Sequence, residues 1–280
     1  MPIENNSLKQ LKNDLKKLYN WLIANKISLN KDKTEVLLFR HPNKSINYNV
    51  KLKLNGKQLK FSNSVKYLGV HLDSHLNWSY HVDALAPKLT RASGMLAKIR
   101  HYVSEDTLRN IYFGIFHSLM TYAAPVWGQD QNKHIKRISK IQNKALRIIN
   151  FADFNAPTSN LYFKSEIPKF ADHITTQNFL FAHDFINNNL PKPLMNLIQL
   201  LTDKHNIKTR AAEDLKFTLP KVNSVNSGLN SISYKTSACW NTLVSTTFSD
   251  EKKSPSTLSK VTCKEKIHKH FIGNYNNIIT

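Results

Sequence analysis

Acidic residues are scarce in this sequence of 280 residues, which contains 19 Asp and Glu against 40 Lys and Arg. The formal net charge at pH 7 is therefore +21. A folded protein with such a positive field attracts polyanions, and nucleic acid is the commonest polyanion inside a cell. An anionic membrane surface would fit the same charge, but we find no amphipathic anchor segment for it. The charge therefore favours RNA or DNA as the partner, and no membrane.

Cysteine, glycine and long apolar runs are scarce as well. The two cysteines, Cys239 and Cys263, cannot form a disulfide framework and are typical of a reducing compartment. The seven glycines form no phosphate-cradling or dinucleotide-binding loop, and no G-x-S-x-G nucleophile motif occurs. No secretory signal opens the sequence, and no apolar run is long enough to cross a bilayer. We therefore expect an intracellular protein, nuclear or cytoplasmic.

The periodicity of apolar residues predicts an α+β fold. Leucines spaced three or four residues apart predict a basic amphipathic helix over 8–22. A short run of strand formers follows at 34–39, and alternating apolar residues around Asn55-Gly56 predict a two-residue β-hairpin. The stretch "VKYLGVHLD" (65–73) predicts a further strand, with Gly69 where another backbone or a ligand comes close. We expect a small antiparallel sheet with one helix.

After residue 76 the apolar period changes from two to 3.6, which predicts helices. They are expected at 77–100, 104–122, 131–150, 170–187 and 194–201. Pro87 should end or kink the first of these helices near Ala86, because proline lacks the backbone N–H. Ser104 is a suitable N-cap for the second helix.

These changes of pattern divide the chain into three expected domains. Residues 1–76 carry the sheet with its helix, residues 77–201 are mainly helical, and residues 202–280 form a polar C-terminal extension. In the extension, the islands "LKFTLP", "SISY" and "ACWNTL" predict short strands or docking segments within a loosely ordered region.

Basic residues on the predicted helix 131–150 are the strongest local indication of function. They are spaced 3, 1, 3, 4 and 3 residues apart: Lys133, Lys136, Arg137, Lys140, Lys144 and Arg147. This spacing places them on one face, and a second stripe can face the core: Ile135, Ile138, Ile141, Leu146 and Ile149. A solvated face usually mixes charge signs, yet no acid lies between Lys133 and Asn150. We favour phosphate binding over an ordinary solvated face. Six phosphate contacts would give a logarithmic salt slope of about −5 without any base specificity.

Four stretches, in a fixed order, carry a family resemblance: "NWLIANKISLNKDKTEVLLF", "VKYLGVHLDSHLNW", "SLMTYAAPVWG" with "ISKIQNKALRIIN", and "KTRAAEDL" with "LPKVNSVNSGLNSISYKTSACWNTL". They resemble the C-terminal part of non-LTR retrotransposon reverse transcriptases of the jockey-like or chicken-repeat type. The first is similar to the segment ending in palm motif D, and the second to motif E, the primer grip. The third is similar to the helical thumb and the segment after it, and the fourth to the C-terminal region. The resemblance covers essentially the whole chain. It implies a palm remnant, a thumb and an extension for the three expected domains.

The resemblance also implies roles for individual residues. Lys33 matches the motif D lysine proposed to protonate the leaving pyrophosphate as a general acid, with Lys31 as the alternative. Both could equally be solvated lysines of a turn. Leu68 and Gly69 match the primer-grip turn, where glycine lets the backbone approach the 3′ end of the primer, although plain strand packing would explain them too. Pro87 departs from the helix that the family pattern implies for the thumb.

The acidic hairpin of this family does not occur in the sequence. The polymerase reaction needs two Mg²⁺ ions, which prefer carboxylate oxygens, and the family supplies adjacent aspartates in an aromatic-Ala-Asp-Asp hairpin. No Asp-Asp pair is present. The pair Glu105-Asp106 fits a helix cap, and Glu213-Asp214 and Asp250-Glu251 have no third carboxylate nearby in sequence. We expect no metal site and no cofactor in this chain, the Mg²⁺ belonging to the complete family enzyme.

A second group of metal-ligating residue types occurs near the C-terminus. Cys263, His268 and His270 could suggest zinc, but tetrahedral zinc needs four ligands, and Cys239 is the remaining thiol. The spacing fits no common zinc finger. We favour a basic surface segment instead.

Together these features predict a truncated RNA-directed DNA polymerase that keeps a primer–template surface but is inactive alone. Its partners would be RNA and DNA, together with the fingers and palm portion that the family places upstream. Two alternatives stay open: a non-catalytic RNA- or DNA-binding module derived from such an element, and a decayed gene product.

Overall fold

The computed structural model of the chain describes residues 5–30, 33–41, 43, 51–129, 133–202, 215–222, 228–249 and 254–276. The chain divides into two compact units, Met1–Asp83 and Ala84–Thr280. The first unit combines a long helix with short strands, and the second consists mainly of helices. The predicted α+β class is therefore confirmed.

Helix α1 (Asn5–Ala24) confirms the amphipathic helix predicted from the leucine spacing. Leu15 and Tyr19 on this helix are partly buried and pack against a small core. That core consists of the buried side chains of Leu52, Leu54 and Leu59. Leu15 and Tyr19 thus hold α1 against the strands, whereas Leu11 and Leu18 of the leucine stripe are exposed.

Among the described residues, six short strands follow α1: β1 (Glu35–Leu37), β2 (Lys53–Leu54), β3 (Lys57–Gln58), β4 (Lys60–Ser62), β5 (Ser64–Tyr67) and β6 (Val70–Asp73). They pair two by two as β1–β4, β2–β3 and β5–β6. The last two pairs are antiparallel, but β1 and β4 are parallel, with Glu35 opposite Lys60. The expected single antiparallel sheet is thus corrected to three separate pairs. Sequence signals identify strands joined by a tight turn, whereas the β1–β4 pairing connects segments far apart in the chain.

Two tight turns shape these strands. At Asn55-Gly56 the φ angles are +46° and +77°, so the predicted hairpin with two left-handed turn residues is confirmed. At Leu68-Gly69 the φ angles are +45° and +85°. The stretch 65–73 is therefore a second hairpin rather than the one strand expected, because two successive left-handed residues reverse the chain.

Helix α2 (Ser79–Ile99) runs without interruption through Pro87, so the predicted break near Ala86 is wrong. Proline removes one hydrogen bond of a helix interior. Pro87 itself is exposed, while Leu85, Ala86 and Leu89 around it are buried. Packing of these apolar neighbours offsets the lost backbone bond.

The helical unit continues with α3 (Glu105–Ile111), a π-helical segment (Tyr112–His117), α4 (Ser118–Thr121), α5 (Ala124–Trp127), α6 (Lys133–Ile149), α7 (Thr158–Lys164), α8 (Phe170–Ile186) and α9 (Lys192–Met195). Ser104 caps α3 as predicted, since its hydroxyl accepts from the Thr107 N–H at 3.3 Å. The helix expected at 194–201 is only one turn long. Leu200 instead pairs with Phe217 in an isolated antiparallel bridge.

The described part of the C-terminal extension forms two helices, α10 (Ile232–Thr246) and α11 (Lys260–Asn276). Of the two alternatives, short strands are wrong at "SISY" and "ACWNTL", because residues 232–234 and 238–243 lie in α10, and the helix docks on the core instead. Trp240 of α10 is fully buried and stacks on Phe179 of α8 with ring centroids 4.5 Å apart. Burial of this indole makes α10 part of a packed core.

One hydrophobic core of the helical unit lies where α8, α10 and α11 meet. It comprises Phe179, Leu180, Ala182, Phe185, Ile198, Phe217, Trp240, Leu243, Phe248, Cys263 and Ile267. Asn241 ties Phe217 into this core by exchanging two hydrogen bonds of 2.9 Å with its backbone N–H and C=O. No helix within the described ranges is both long and apolar enough to cross a bilayer.

Candidate nucleic-acid interface

Helix α6 carries the predicted basic face and the predicted buried stripe. Lys136, Arg137, Lys140 and Lys144 are exposed. At about 100° per residue these four fall within an arc of roughly 100°, over about 12 Å of helix length. The opposite side buries Ile135, Ile138, Ala145, Leu146 and Ile149 in the protein interior, and Ile141 is half-buried. The buried stripe therefore fixes which side of α6 faces solvent.

A buried glutamine, which the sequence analysis did not identify, holds α6 in place. Gln142 is fully buried, and its carbonyl oxygen accepts from the Phe170 N–H at 2.9 Å. Its amide nitrogen donates to the Pro168 carbonyl at 3.0 Å and to the Tyr112 hydroxyl at 3.3 Å. Burial raises the pKa of Tyr112, so its hydroxyl stays neutral. An amide within a basic helix gives no signal of this role in the sequence.

The exposed lysines of this face keep their charges available. Lys136, Lys140 and Lys144 form no ion pair with any of the described residues. Arg147 differs, since it is half-buried and its Nε donates to the Ala156 carbonyl at 2.9 Å. The side chain of Lys133, at the start of α6, lies outside the described residues. Of the six predicted phosphate contacts, four are thus on one exposed face.

The β5–β6 hairpin presents the predicted primer-grip turn to solvent. Leu68 is 73% exposed at its tip, beside Gly69. The base of this hairpin is fixed by the buried carboxylate of Asp73. One oxygen accepts from the N–H groups of His75 and Asn77 at 3.0 and 3.2 Å, and the other accepts from Trp78 at 2.9 Å. Three charge-assisted bonds hold the chain between β6 and α2.

Lys33 lies in an exposed turn after α1. Its backbone N–H donates to the Asn30 side-chain oxygen at 3.2 Å, and the Thr34 hydroxyl donates to the Asn30 carbonyl at 2.8 Å. Two hydrogen bonds thus link Lys33 and Thr34 to Asn30, while a role of the Lys33 ammonium as a general acid stays a prediction. Lys31, the alternative, lies outside the described residues.

The described residues do not fit a Mg²⁺ site. No group of three or more His, Cys, Asp or Glu side chains converges among them. Glu105, from the acidic pair at the start of α3, lies 3.5 Å from the Lys164 ammonium. The pairs Glu213-Asp214 and Asp250-Glu251 lie outside the described residues. No catalytic step through Mg²⁺ can be built on the residues described.

The environments of the two cysteines indicate a role in packing rather than in chemistry. Cys263 is fully buried, with its thiol 3.5 Å from the Pro255 carbonyl. Cys239 donates to the Thr175 carbonyl at 3.1 Å, and burial raises the pKa of its thiol to about 12. A thiol that remains protonated at neutral pH is a poor metal ligand and nucleophile. His270 is within hydrogen-bond distance of the Asn274 amide at 3.1 Å.

Two histidines in the helical unit have strongly lowered pKa values. The rings of His117 and His173 meet edge to face with centroids 5.2 Å apart. Burial, together with the positive charge of Lys264, lowers the pKa of His117 to about 4. Burial also lowers the pKa of His173 to about 4, with smaller contributions from His117 and Lys264. Both rings are neutral at pH 7, so they pack as uncharged aromatic side chains.

An exposed cationic helix face and an exposed hairpin turn are features of nucleic-acid-binding proteins. Comparison with curated proteins identifies the relatives. "RNA-directed DNA polymerase from mobile element jockey" of Drosophila melanogaster is 30% identical over 125 residues, which is 43% of this chain and 14% of that protein. "Retrovirus-related Pol polyprotein from type-1 retrotransposable element R1 4" of Nasonia vitripennis is 36% identical over 93 residues, or 32% and 24% of the two chains. "Probable RNA-directed DNA polymerase from transposon X-element" of Drosophila melanogaster is 30% identical over 125 residues, or 44% and 14%.

The chain is thus homologous to retrotransposon RNA-directed DNA polymerases, and the resemblance seen in the sequence is confirmed for the 32–44% of the chain that these matches cover. The aligned part covers only 14–24% of the length of these relatives. No protein-family model and no solved structure gives a significant match.

Proposed function

We propose that this chain is the region of a retrotransposon reverse transcriptase that holds the primer–template, and that it does not transfer nucleotides by itself. The exposed face of α6 is the observation that carries the proposal. Lys136, Arg137, Lys140 and Lys144 share about 12 Å of one helix side with no acidic residue among them. Like charges at this spacing repel one another, and phosphates of a polynucleotide relieve that repulsion.

Different parts of the chain would then contact different parts of the primer–template. The face of α6 would contact backbone phosphates, which fix position and carry no sequence code. The turn at Leu68-Gly69 would lie against the 3′ end of the primer, where the missing glycine side chain permits a close approach. Lys33 would act as a general acid only in the complete enzyme. The Mg²⁺ ions and the carboxylates that bind them would come from the fingers and palm portion.

Two measurements on the purified chain test this proposal. Fluorescence anisotropy with a labelled RNA–DNA hybrid should show binding that weakens steeply between 50 and 200 mM salt. A primer-extension assay with Mg²⁺ and all four deoxynucleotides should show no product. Template-dependent incorporation would contradict the non-catalytic part of the proposal. Absence of binding at low salt would contradict the part that concerns the primer–template.

A further inference from the structure

Phe151 lies directly past the C-terminal end of α6 in a backbone conformation that disfavours its side chain. Its φ angle is +53°, in the left-handed region. The Phe151 N–H bonds to the Ile148 carbonyl at 3.3 Å, and the Ala152 N–H bonds to the Arg147 carbonyl at 3.0 Å. These two bonds form a Schellman closure, whose left-handed position is normally occupied by glycine. A phenylalanine there is strained, which is typical of functional positions.

Phe151 is 45% exposed, so burial does not explain why a phenylalanine occupies this position. The guanidinium carbon of Arg100 lies 5.5 Å from the ring centroid of Phe151, and the His101 ring meets it edge-on at 5.8 Å. Tyr102, next to His101 in sequence, and Phe154, three residues after Phe151, are even more exposed, at 86% and 78%. The three residues in contact, Arg100, His101 and Phe151, are called the Phe151 patch below.

We propose that the Phe151 patch stacks unpaired nucleobases of a strand whose phosphates lie along the basic face of α6, an inference that rests on the proposed function. Aromatic rings stack on any base, and an arginine adds cation–π attraction. Phe151 follows Lys144 by seven residues, about 10 Å of helix length. The C-terminal end of α6 carries the negative pole of the helix, which disfavours a phosphate but not a base. Phosphates therefore belong on the lysines and a base on the ring.

The substitution Phe151→Gly separates stacking from folding. Glycine is the preferred residue at this left-handed position, so the melting temperature should stay equal or rise. The affinity for a fluorescein-labelled 12-nucleotide oligo(dT) should fall roughly 5- to 150-fold, the loss expected for one stacked base. Its salt slope should not change, because stacking releases no counterions. Tyr80→Ala, at another exposed aromatic residue, is the matched control and should bind normally.

Two further measurements test base stacking directly. A Phe151→Trp variant should lose tryptophan fluorescence when oligo(dT) binds, because a stacked base quenches the indole. An abasic oligonucleotide of the same length keeps the phosphates but has no bases. The wild-type chain should bind this abasic strand no more tightly than the Phe151→Gly variant binds oligo(dT).

The outcomes separate this inference from the proposed function. If the wild-type chain binds the abasic strand and oligo(dT) equally well, and Phe151→Gly has no effect, base stacking is excluded while phosphate binding stands. If the wild-type chain binds neither oligo(dT) nor the RNA–DNA hybrid at low salt, both proposals are wrong. If sedimentation shows that Phe151→Gly only converts a self-associating chain into a monomer, the patch is a protein contact, which also overturns the inference.

Discussion

Replacing three lysines of the α6 face with alanine should remove most of the salt dependence of nucleic-acid binding. Lys136, Lys140 and Lys144 are exposed and form no ion pair with described residues, so their charges are free to meet phosphates. Alanine is the best helix former, so the triple variant should keep α6 folded. The change therefore tests charge rather than structure.

The magnitude follows from the number of exposed cations. Four exposed cations on α6 correspond to a logarithmic salt slope of about −3.6, less steep than the −5 expected for six contacts. The lower value counts only the exposed cations of the described residues, and it leaves out Arg147, whose Nε bonds the Ala156 carbonyl. Removing three lysines should make the slope less steep by about 2.7. Raising the salt from 50 to 200 mM should weaken binding through this face about 150-fold in the wild-type chain. In the triple variant the same change should weaken it only about 4-fold.

Fluorescence anisotropy with a labelled RNA–DNA hybrid at four salt concentrations measures these slopes. A matched control replaces Lys9, Lys12 and Lys16, which are exposed on α1, with alanine. Both variants lower the formal net charge by three, from +21 to +18. If the two variants change the slope equally, binding depends on overall charge, and the reasoning about the α6 face is refuted.

Three further predictions concern stability. Asp73→Ala leaves three backbone N–H groups without their carboxylate acceptor, so the free energy of unfolding in urea should fall by about 3 kcal/mol. An unchanged midpoint would show that water replaces the carboxylate. Gln142→Leu removes the partners of the Phe170 N–H and the Pro168 carbonyl, so the free energy of unfolding should also fall by about 3 kcal/mol. A stability within about 0.5 kcal/mol of wild type would contradict the role of Gln142. His117 and His173 have folded pKa values of about 4, below the unfolded value of 6.5, so the unfolded chain binds protons first as pH falls. Stability should therefore be complete above pH 6.5 and decrease towards pH 4, by at most about 3 kcal/mol per histidine. Melting temperatures from pH 7 to 4.5 test this, and replacing both histidines with phenylalanine should flatten the dependence.

Much of the local structure could be predicted because it depends on neighbouring residues. Leucine spacing predicted α1, and Asn55-Gly56 predicted the β2–β3 hairpin, since only two positive φ angles close such a turn. The basic and apolar stripes of α6 were predicted from spacing alone. The uninterrupted α2 could not be predicted, because the cost of Pro87 is a local effect and the burial that offsets it depends on distant contacts.

Only part of the candidate site could be predicted from the sequence, for the same reason. The lysines of α6 and the Leu68-Gly69 turn were identified, but Gln142 and Asp73 were not. Their roles depend on backbone groups that the fold brings within 3.2 Å of the Gln142 amide and the Asp73 carboxylate. Phe151 was also missed, because its φ angle and its approach to Arg100 have no pattern in the sequence.

The sequence by itself determined the excess of positive charge, the periods of the helices and hairpins, and the likeness to retrotransposon polymerases. These properties depend on residue type and on spacing over a few turns, which the chain carries before it folds. Tertiary structure alone decided the parallel pairing of β1 with β4, the helical packing around Trp240, and which cations of α6 remain exposed. Each of these depends on burying apolar surface between segments far apart in the chain, and that free energy exists only in the folded protein.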